Sequence, residues 1–111
     1  MKMVRWRYLL LKIVSESSFS EADLMSALTD ATRRLFGMVG LQHTSPKIVR
    51  FFSLSGEAII RCRVESVDEF RAAIVLLGSI AGRPAAAFVV RSSGTIRTLM
   101  EQSTIRQMSI L

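Results

Sequence analysis

The stretch Ala58–Leu77, AIIRCRVESVDEFRAAIVLL, leaves this chain few ways to fold. Its first half alternates: Ile60, Cys62 and Val64 fall on one side of an extended chain, Ile59, Arg61 and Arg63 on the other. Ser66 stands three residues before Glu69, the spacing at which a hydroxyl and a carboxylate cap each other's backbone amides at a helix start. Val67, Phe70, Ala73, Ile74 and Leu77 then recur on one helical face. A strand with two arginines on its far side thus feeds directly into an amphipathic helix.

The remaining segments fit around that pair. Arg5–Ser15 reads as a strand with Arg7, Leu9, Leu11 and Ile13 on one face and Tyr8, Leu10, Lys12 and Val14 on the other. Its middle is apolar on both faces, which predicts a central strand covered from both sides. Trp6 and Tyr8 stand either as exposed stacking residues or as core and rim aromatics. Ser20 is a good N-cap, followed by Glu21 and Asp23, which suit the positive end of a helix dipole. Leu24, Ala27, Leu28, Ala31 and Leu35 supply the buried stripe, and Asp30 is spaced to pair with Arg33 or Arg34. Gly37 is the expected helix end, with Met38–Pro46 a loop.

Lys47–Ser53 is the second strand, with Ile48, Arg50 and Phe52 alternating with Val49 and Phe51. Ser55-Gly56 turns it into the Ala58 strand as a hairpin. Gly78–Pro84 is expected as a loop and Ala85–Ser92 as the fourth strand. Ser93-Gly94-Thr95 turns into a last helix from about Thr95, with Ile96, Leu99 and Met100 as its stripe. The tail holds Ile105, Met108, Ile110 and Leu111, which would dock on the body or on another protein. The order is an α+β, β-α-β-β-α-β pattern: an antiparallel four-stranded sheet with two helices on one face, as in ferredoxin-like and RNA-recognition-like sandwiches, plus a C-terminal helix. The other sheet face is left for RNA, a partner or the returning helix. At 111 residues the whole chain, 1–111, is expected to be one domain.

Charge narrows the partner. Fifteen Lys and Arg against nine Asp and Glu give +6, and only Lys2, Lys12 and Lys47 are lysines. The sequence pI is near 10.7. Such a surface gains from displacing counterions on a polyanion, although charge alone does not separate RNA from DNA or a membrane surface. Cys62 is the single cysteine and His43 the single histidine, so an intrachain disulfide and a multi-cysteine metal site are excluded. Cys62 lies on the apolar phase of its strand and reads as a small core residue. No apolar run reaches membrane-span length, and the N-terminal apolar stretch is broken by Lys12 and Glu16, so it reads as a strand and not a signal peptide. An intracellular, cytoplasmic location away from membranes is the expectation.

No catalytic set is apparent, and neither a triphosphate loop nor a metal cluster is present. The turn Ser92–Thr95 opens a helix between Arg91 and Arg97, an arrangement that holds a phosphate with backbone N–H groups and guanidinium together, or else simply caps the helix. Arg61 and Arg63 stand as phosphate binders or as a solvated sheet face. The aromatic-rich strands of base-stacking RNA readers are absent.

RYLLLKIVSE, IIRCRVESVDEFRAAIVLL, GRP and SGTIRTL together resemble the ribonuclease P protein component 2 family of archaea and eukaryotes, in its archaeal form, over nearly the whole chain. The departures are Val90-Arg91-Ser92 before the SGTI turn, the Leu41–Pro46 loop and a short turn at Leu54–Glu57. The resemblance implies a subunit of ribonuclease P, the ribonucleoprotein endonuclease that removes the 5′ leader of precursor tRNA. It implies catalysis by the RNA subunit, with Mg²⁺ on that RNA and no cofactor bound by this chain. It also implies pairing with ribonuclease P protein component 3 as a heterodimer that associates into a heterotetramer, contact with other ribonuclease P proteins, and only indirect contact with precursor tRNA. The second helix and a sheet edge are the expected surface for component 3.

The RNA-binding candidates inferred on this basis are Arg61, Arg63, Arg91, Arg97, Lys12, Arg83, Ser93, Gly94 and Thr95. Contact with about six phosphates would give a log–log salt slope of about −4. A small-molecule regulatory module of the ferredoxin-like class and a protein-only adaptor are the alternatives. The first leaves the net charge unexplained; the second is distinguished by complex formation that is insensitive to salt.

Overall fold

The computed structural model describes residues 3–102. The tail residues Ile105, Met108, Ile110 and Leu111 lie outside them. The elements are β1 (Trp6–Ser15), α1 (Glu21–Thr44), β2 (Lys47–Phe52), β3 (Glu57–Arg63), α2 (Val67–Leu76), β4 (Ser79–Ile80), β5 (Arg83–Ser93) and α3 (Ile96–Gln102). All strand pairs are antiparallel, and the sheet order is β2-β3-β1-β5-β4.

β1 is central, as its two-faced apolar middle requires. Leu9, Leu11 and Ile13 enter the main core with Ile60, Cys62, Leu24, Leu28, Phe70 and Ile74, beneath α1 and α2. Leu10 faces the other way, into a smaller cluster with Ile59 and Leu99. The terminal helix α3 therefore returns to the second sheet face and covers its middle. Around it Val14, Phe88 and Val90 stay exposed.

The helix ends follow the local chemistry. Ser20 caps α1: its hydroxyl accepts from the Asp23 amide at 3.1 Å, and the Asp23 carboxylate accepts from the Ser20 amide at 3.0 Å. Asp30 holds both Arg33 and Arg34, at 2.7 and 2.8 Å. Gly37 breaks the helical path with φ 72°, but the chain re-enters a helix and runs to Thr44. The expected loop Met38–Pro46 is thus mostly a second helical segment, ended by Ser45 in a left-handed conformation at φ 46°.

The hinge between β3 and α2 also differs from expectation. β3 stops at Arg63, and Val64–Ser66 forms a 3-10 turn, which takes Val64 off the strand's buried phase. Ser66 has φ −113° and ψ 12°, not the extended cap geometry, and its side chain makes no capping hydrogen bond. The expected capping box with Glu69 is absent because the preceding turn already supplies helical backbone. The α2 stripe of Phe70, Ala73, Ile74 and Leu77 is buried as its spacing predicts.

Two further corrections concern strands. The sheet has five strands, not four: part of the expected Gly78–Pro84 loop is the two-residue edge strand β4, joined to β5 through Ala81 and Gly82. Both turn residues have positive φ, 54° and 78°, the twist of a tight hairpin. In β2 the ladder slips between Ile48 and Arg50, so Ile48 and Phe51 join the main core while Val49 and Phe52 join the smaller cluster. A second slip lies in β5: Leu10 faces Arg91 and Leu11 faces Val89, leaving Val90 over.

Candidate nucleic-acid interface

The sheet register gathers arginines at one end of the sheet. On β1 that end is Trp6, Arg7 and Tyr8. They stand opposite Arg63, Cys62 and Arg61 of β3, and Tyr8 also stands opposite Ser93 of β5. Directly opposed residues share a face. Arg61, Arg63, Arg91 and Ser93 therefore lie on the side that α3 partly covers, whereas Arg7 lies on the side of α1 and α2.

Each of these side chains has a defined setting. The Arg61 guanidinium reaches diagonally across the ladder to sit 4.2 Å from the centroid of the Trp6 ring. Trp6 is half-buried and serves as a platform for a cation. The Nε atoms of Arg61 and Arg63 are buried and find no hydrogen-bond acceptor among the described residues. Arg63 also lines a groove of about 410 Å³ with His43, Glu65, Ser66 and Glu69. Arg91 and Arg97 are exposed.

The turn after β5 is held by its own hydroxyls. Ser93 Oγ accepts from the Thr95 amide at 3.1 Å, and the Thr95 and Thr98 hydroxyls are hydrogen-bonded at 3.1 Å. That uses the Thr95 amide as an N-cap does. Seven of the nine sequence candidates thus fall at this end: Arg61, Arg63, Arg91, Ser93, Gly94, Thr95 and Arg97.

Lys12 and Arg83 do not join them. Lys12 sits opposite Glu57 in the ladder and its Nζ donates to the Ser55 carbonyl, which ties it to the β2–β3 hairpin. Arg83 begins β5, eight residues before Arg91 or about 26 Å at strand rise, and donates to Ser17 Oγ at 3.3 Å. Their charges belong to the opposite end of the sheet.

Sequence reasoning missed two residues that the fold brings to the site. Arg7 Nη2 donates to Ser92 Oγ at 3.4 Å, and Arg71 Nη2 of α2 donates to the same oxygen at 3.0 Å. A Cβ added to Gly94 would lie 3.9 Å from Arg7 Nη1, so the turn passes beside Arg7. Arg7 carried a signal: it is the charged end of a stripe that otherwise runs Leu9, Leu11, Ile13, and a charge there must leave the core at the sheet's edge. Arg71 carried none, because its partners lie 21 residues away on another element.

Asp30 forms ion pairs with Arg33 and Arg34. Glu65, Asp68 and Glu69 form no ion pair with Arg7, Arg61, Arg63, Arg71 or Arg91. No group of three or more His, Cys, Asp or Glu among the described residues is placed to hold a metal ion. Cys62 is fully buried, and burial pushes its thiol up to about 11, with the Arg71 charge pulling it partly back. No described helix is long and apolar enough to cross a membrane.

The profile of the family described as Rpp14/Pop5 matches residues 7–104. The chain is 30% identical over 93 residues to ribonuclease P protein component 2 of Pyrococcus furiosus, covering 84% of this chain and 78% of that protein. It is 32% identical over 98 residues to ribonuclease P protein component 2 of Methanobrevibacter smithii, covering 82% of each. A chain in the cryo-EM structure of yeast ribonuclease MRP shares its fold, with a TM-score of 0.70 at 16% identity over 100% of this chain and 99% of that one.

Proposed function

The chain belongs to the Rpp14/Pop5 family, and from that premise we propose that it is a protein subunit of ribonuclease P, a single domain over its whole length, that supports the RNA subunit of this tRNA-processing ribonucleoprotein in the cytoplasm. The observation that carries the RNA-facing part is the cluster of guanidinium groups at one sheet end, with which the nearby Glu65, Asp68 and Glu69 form no ion pair. Crowded RNA strands repel each other, and arginines there neutralise phosphates while releasing counterions. The folded RNA then needs less Mg²⁺. In this reading the RNA performs cleavage and carries the Mg²⁺; this chain contributes charge and shape.

Protein partners fit the C-terminal end of α2. Val75 and Leu76 of α2 are 76% and 65% exposed, an apolar helix surface suited to a protein such as ribonuclease P protein component 3. The paired form and its association into a heterotetramer belong to the same proposal.

Reconstitution tests it. The protein, component 3 and the ribonuclease P RNA of the same cell are combined, and 5′ leader cleavage of precursor tRNA is followed from low to high Mg²⁺. Cleavage at low Mg²⁺ should require both proteins. The combined Arg61→Gln, Arg63→Gln, Arg91→Gln and Arg97→Gln variant should raise the Mg²⁺ requirement. Equal cleavage by the RNA alone at every Mg²⁺ concentration would sink the proposal.

A further inference from the structure

The Arg7 and Arg71 side chains come from different elements, one from the first strand and one from the middle of α2, yet both point at a single oxygen, Ser92 Oγ. A serine hydroxyl has two lone pairs and can accept both bonds, but it carries no charge. Two positive forks are therefore held within hydrogen-bond reach of one atom, and neither is ion-paired to Glu65, Asp68 or Glu69. Arginines brought together on one atom ordinarily face a carboxylate. Asp68 lies three residues before Arg71, on the same helix, where such a pair would form, but Arg71 turns to Ser92 instead. The bond to Ser92 carries Arg71 over the sheet end, where its charge pulls the Cys62 thiol partly back down. Guanidinium forks match the tetrahedral oxygens of a phosphate, which accept from two forks at once.

We propose that Arg7 and Arg71, positioned by the Ser92 hydroxyl, form a binding site for one phosphodiester group of RNA on the helix-covered side of the sheet end. It rests on the RNA-binding reading above, and it adds a contact on the far side of the turn from Arg61, Arg63 and Arg91. RNA held at both places straddles the Ser92–Thr95 turn instead of lying across one face.

The test uses the full chain and the ribonuclease P RNA, with affinity measured across a salt series. Arg71 is exposed, so Arg71→Gln leaves the core intact. It should weaken binding about tenfold at low salt and shrink the salt slope by about 0.7–0.9, one phosphate's worth. Arg71→Lys should keep the slope and lose part of the affinity. Ser92→Ala removes no charge, so it should weaken binding with the slope unchanged. Arg83→Gln, at the other sheet end, is the reference for generic charge loss.

A second arm melts the wild-type protein and Arg71→Gln in inorganic phosphate and in chloride at matched ionic strength, without RNA. Little difference between the two proteins there, with the slope change in the RNA arm, supports the phosphodiester assignment. Phosphate stabilisation confined to the wild type, with an unchanged RNA slope, assigns the site to free phosphate and overturns it. Arg71→Gln matching Arg83→Gln in both arms removes the site while leaving the RNA-binding reading in place. No RNA binding by the wild type at any salt concentration removes that reading itself.

Discussion

The Arg61 guanidinium lies 4.2 Å from the centroid of the Trp6 ring, across the diagonal of the β1–β3 ladder. The ring face is the negative region of its quadrupole, so it holds a cation without neutralising it. Arg61 is thereby fixed in one direction and remains available to a phosphate. Trp6→Leu keeps an apolar contact but removes that platform. It should lower stability by about 1 kcal/mol and weaken RNA binding, with the salt slope unchanged because no charge is lost. Chemical denaturation and a salt series on the same variant read both effects.

Cys62 makes stability fall in alkali. Its thiol is raised from the ordinary 9.0 to about 11, mainly by burial. Between those values the folded protein keeps a proton that the unfolded chain has released, so stability drops as pH rises through that window and levels off above it. The full effect is about 2–3 kcal/mol at 1.36 kcal/mol per unit. Urea denaturation at pH 8 and pH 10.5 should show a steeper loss for the wild type than for Cys62→Ala. Parallel losses would mean that the thiol ionises equally in both states.

Leu99 is the fully buried anchor of α3, set against Leu10 and Ile59. Leu99→Ala should cost about 2–3 kcal/mol, the low end of buried leucine truncations, because α3 can detach without opening the main core. Hydrogen exchange should quicken in α3 and at Ile59 while Leu9 and Phe70 stay protected. Uniform loss of protection would show instead that the small cluster and the main core unfold as one.

Ala81 has φ 54°, a left-handed conformation that disfavours alanine and most other residues but suits glycine and asparagine. The sharp β4–β5 hairpin forces it there, and Gly82 beside it has φ 78°. Ala81→Gly or Ala81→Asn should raise stability by about 0.5–1 kcal/mol. A melting temperature that fell would mean that the hairpin has another geometry in solution.

Most of the core was legible because its residues obey one period each. Leu9, Leu11 and Ile13 keep the strand period, Phe70, Ala73 and Ile74 the helix period, and Leu10 with Ile59 gives the second face. What escaped was set by contacts between elements or by single backbone angles. Gly37 looked like a helix end and does break the helix, at φ 72°, but a second helical segment follows it to Thr44. Ser66 had the spacing of a cap, but the 3-10 turn before it took that role. Ser79-Ile80 is too short to show alternation. At the candidate site, Arg61, Arg63 and the Ser93–Thr95 turn were visible as local motifs. The Arg7–Ser92–Arg71 arrangement was not, since nothing in a linear chain states which helix position lies over which strand end.

Val90, the residue left over where the β1–β5 ladder slips, decides more than the twist of a strand. Val89 faces the helices; with unbroken alternation Arg91 would face them too, and Ser92 would face away. The extra residue reverses that parity and sets Ser92 beneath Arg7 and Arg71 with Arg91 on the other side. The two charged faces thus owe their identity to a count of residues and not to any side chain. Pairing Val90 into a regular ladder opposite Leu10 would exchange them, whereas deleting Val90 in frame would leave Arg91 and Ser92 on their present faces, so the slip itself is what this strand end must control.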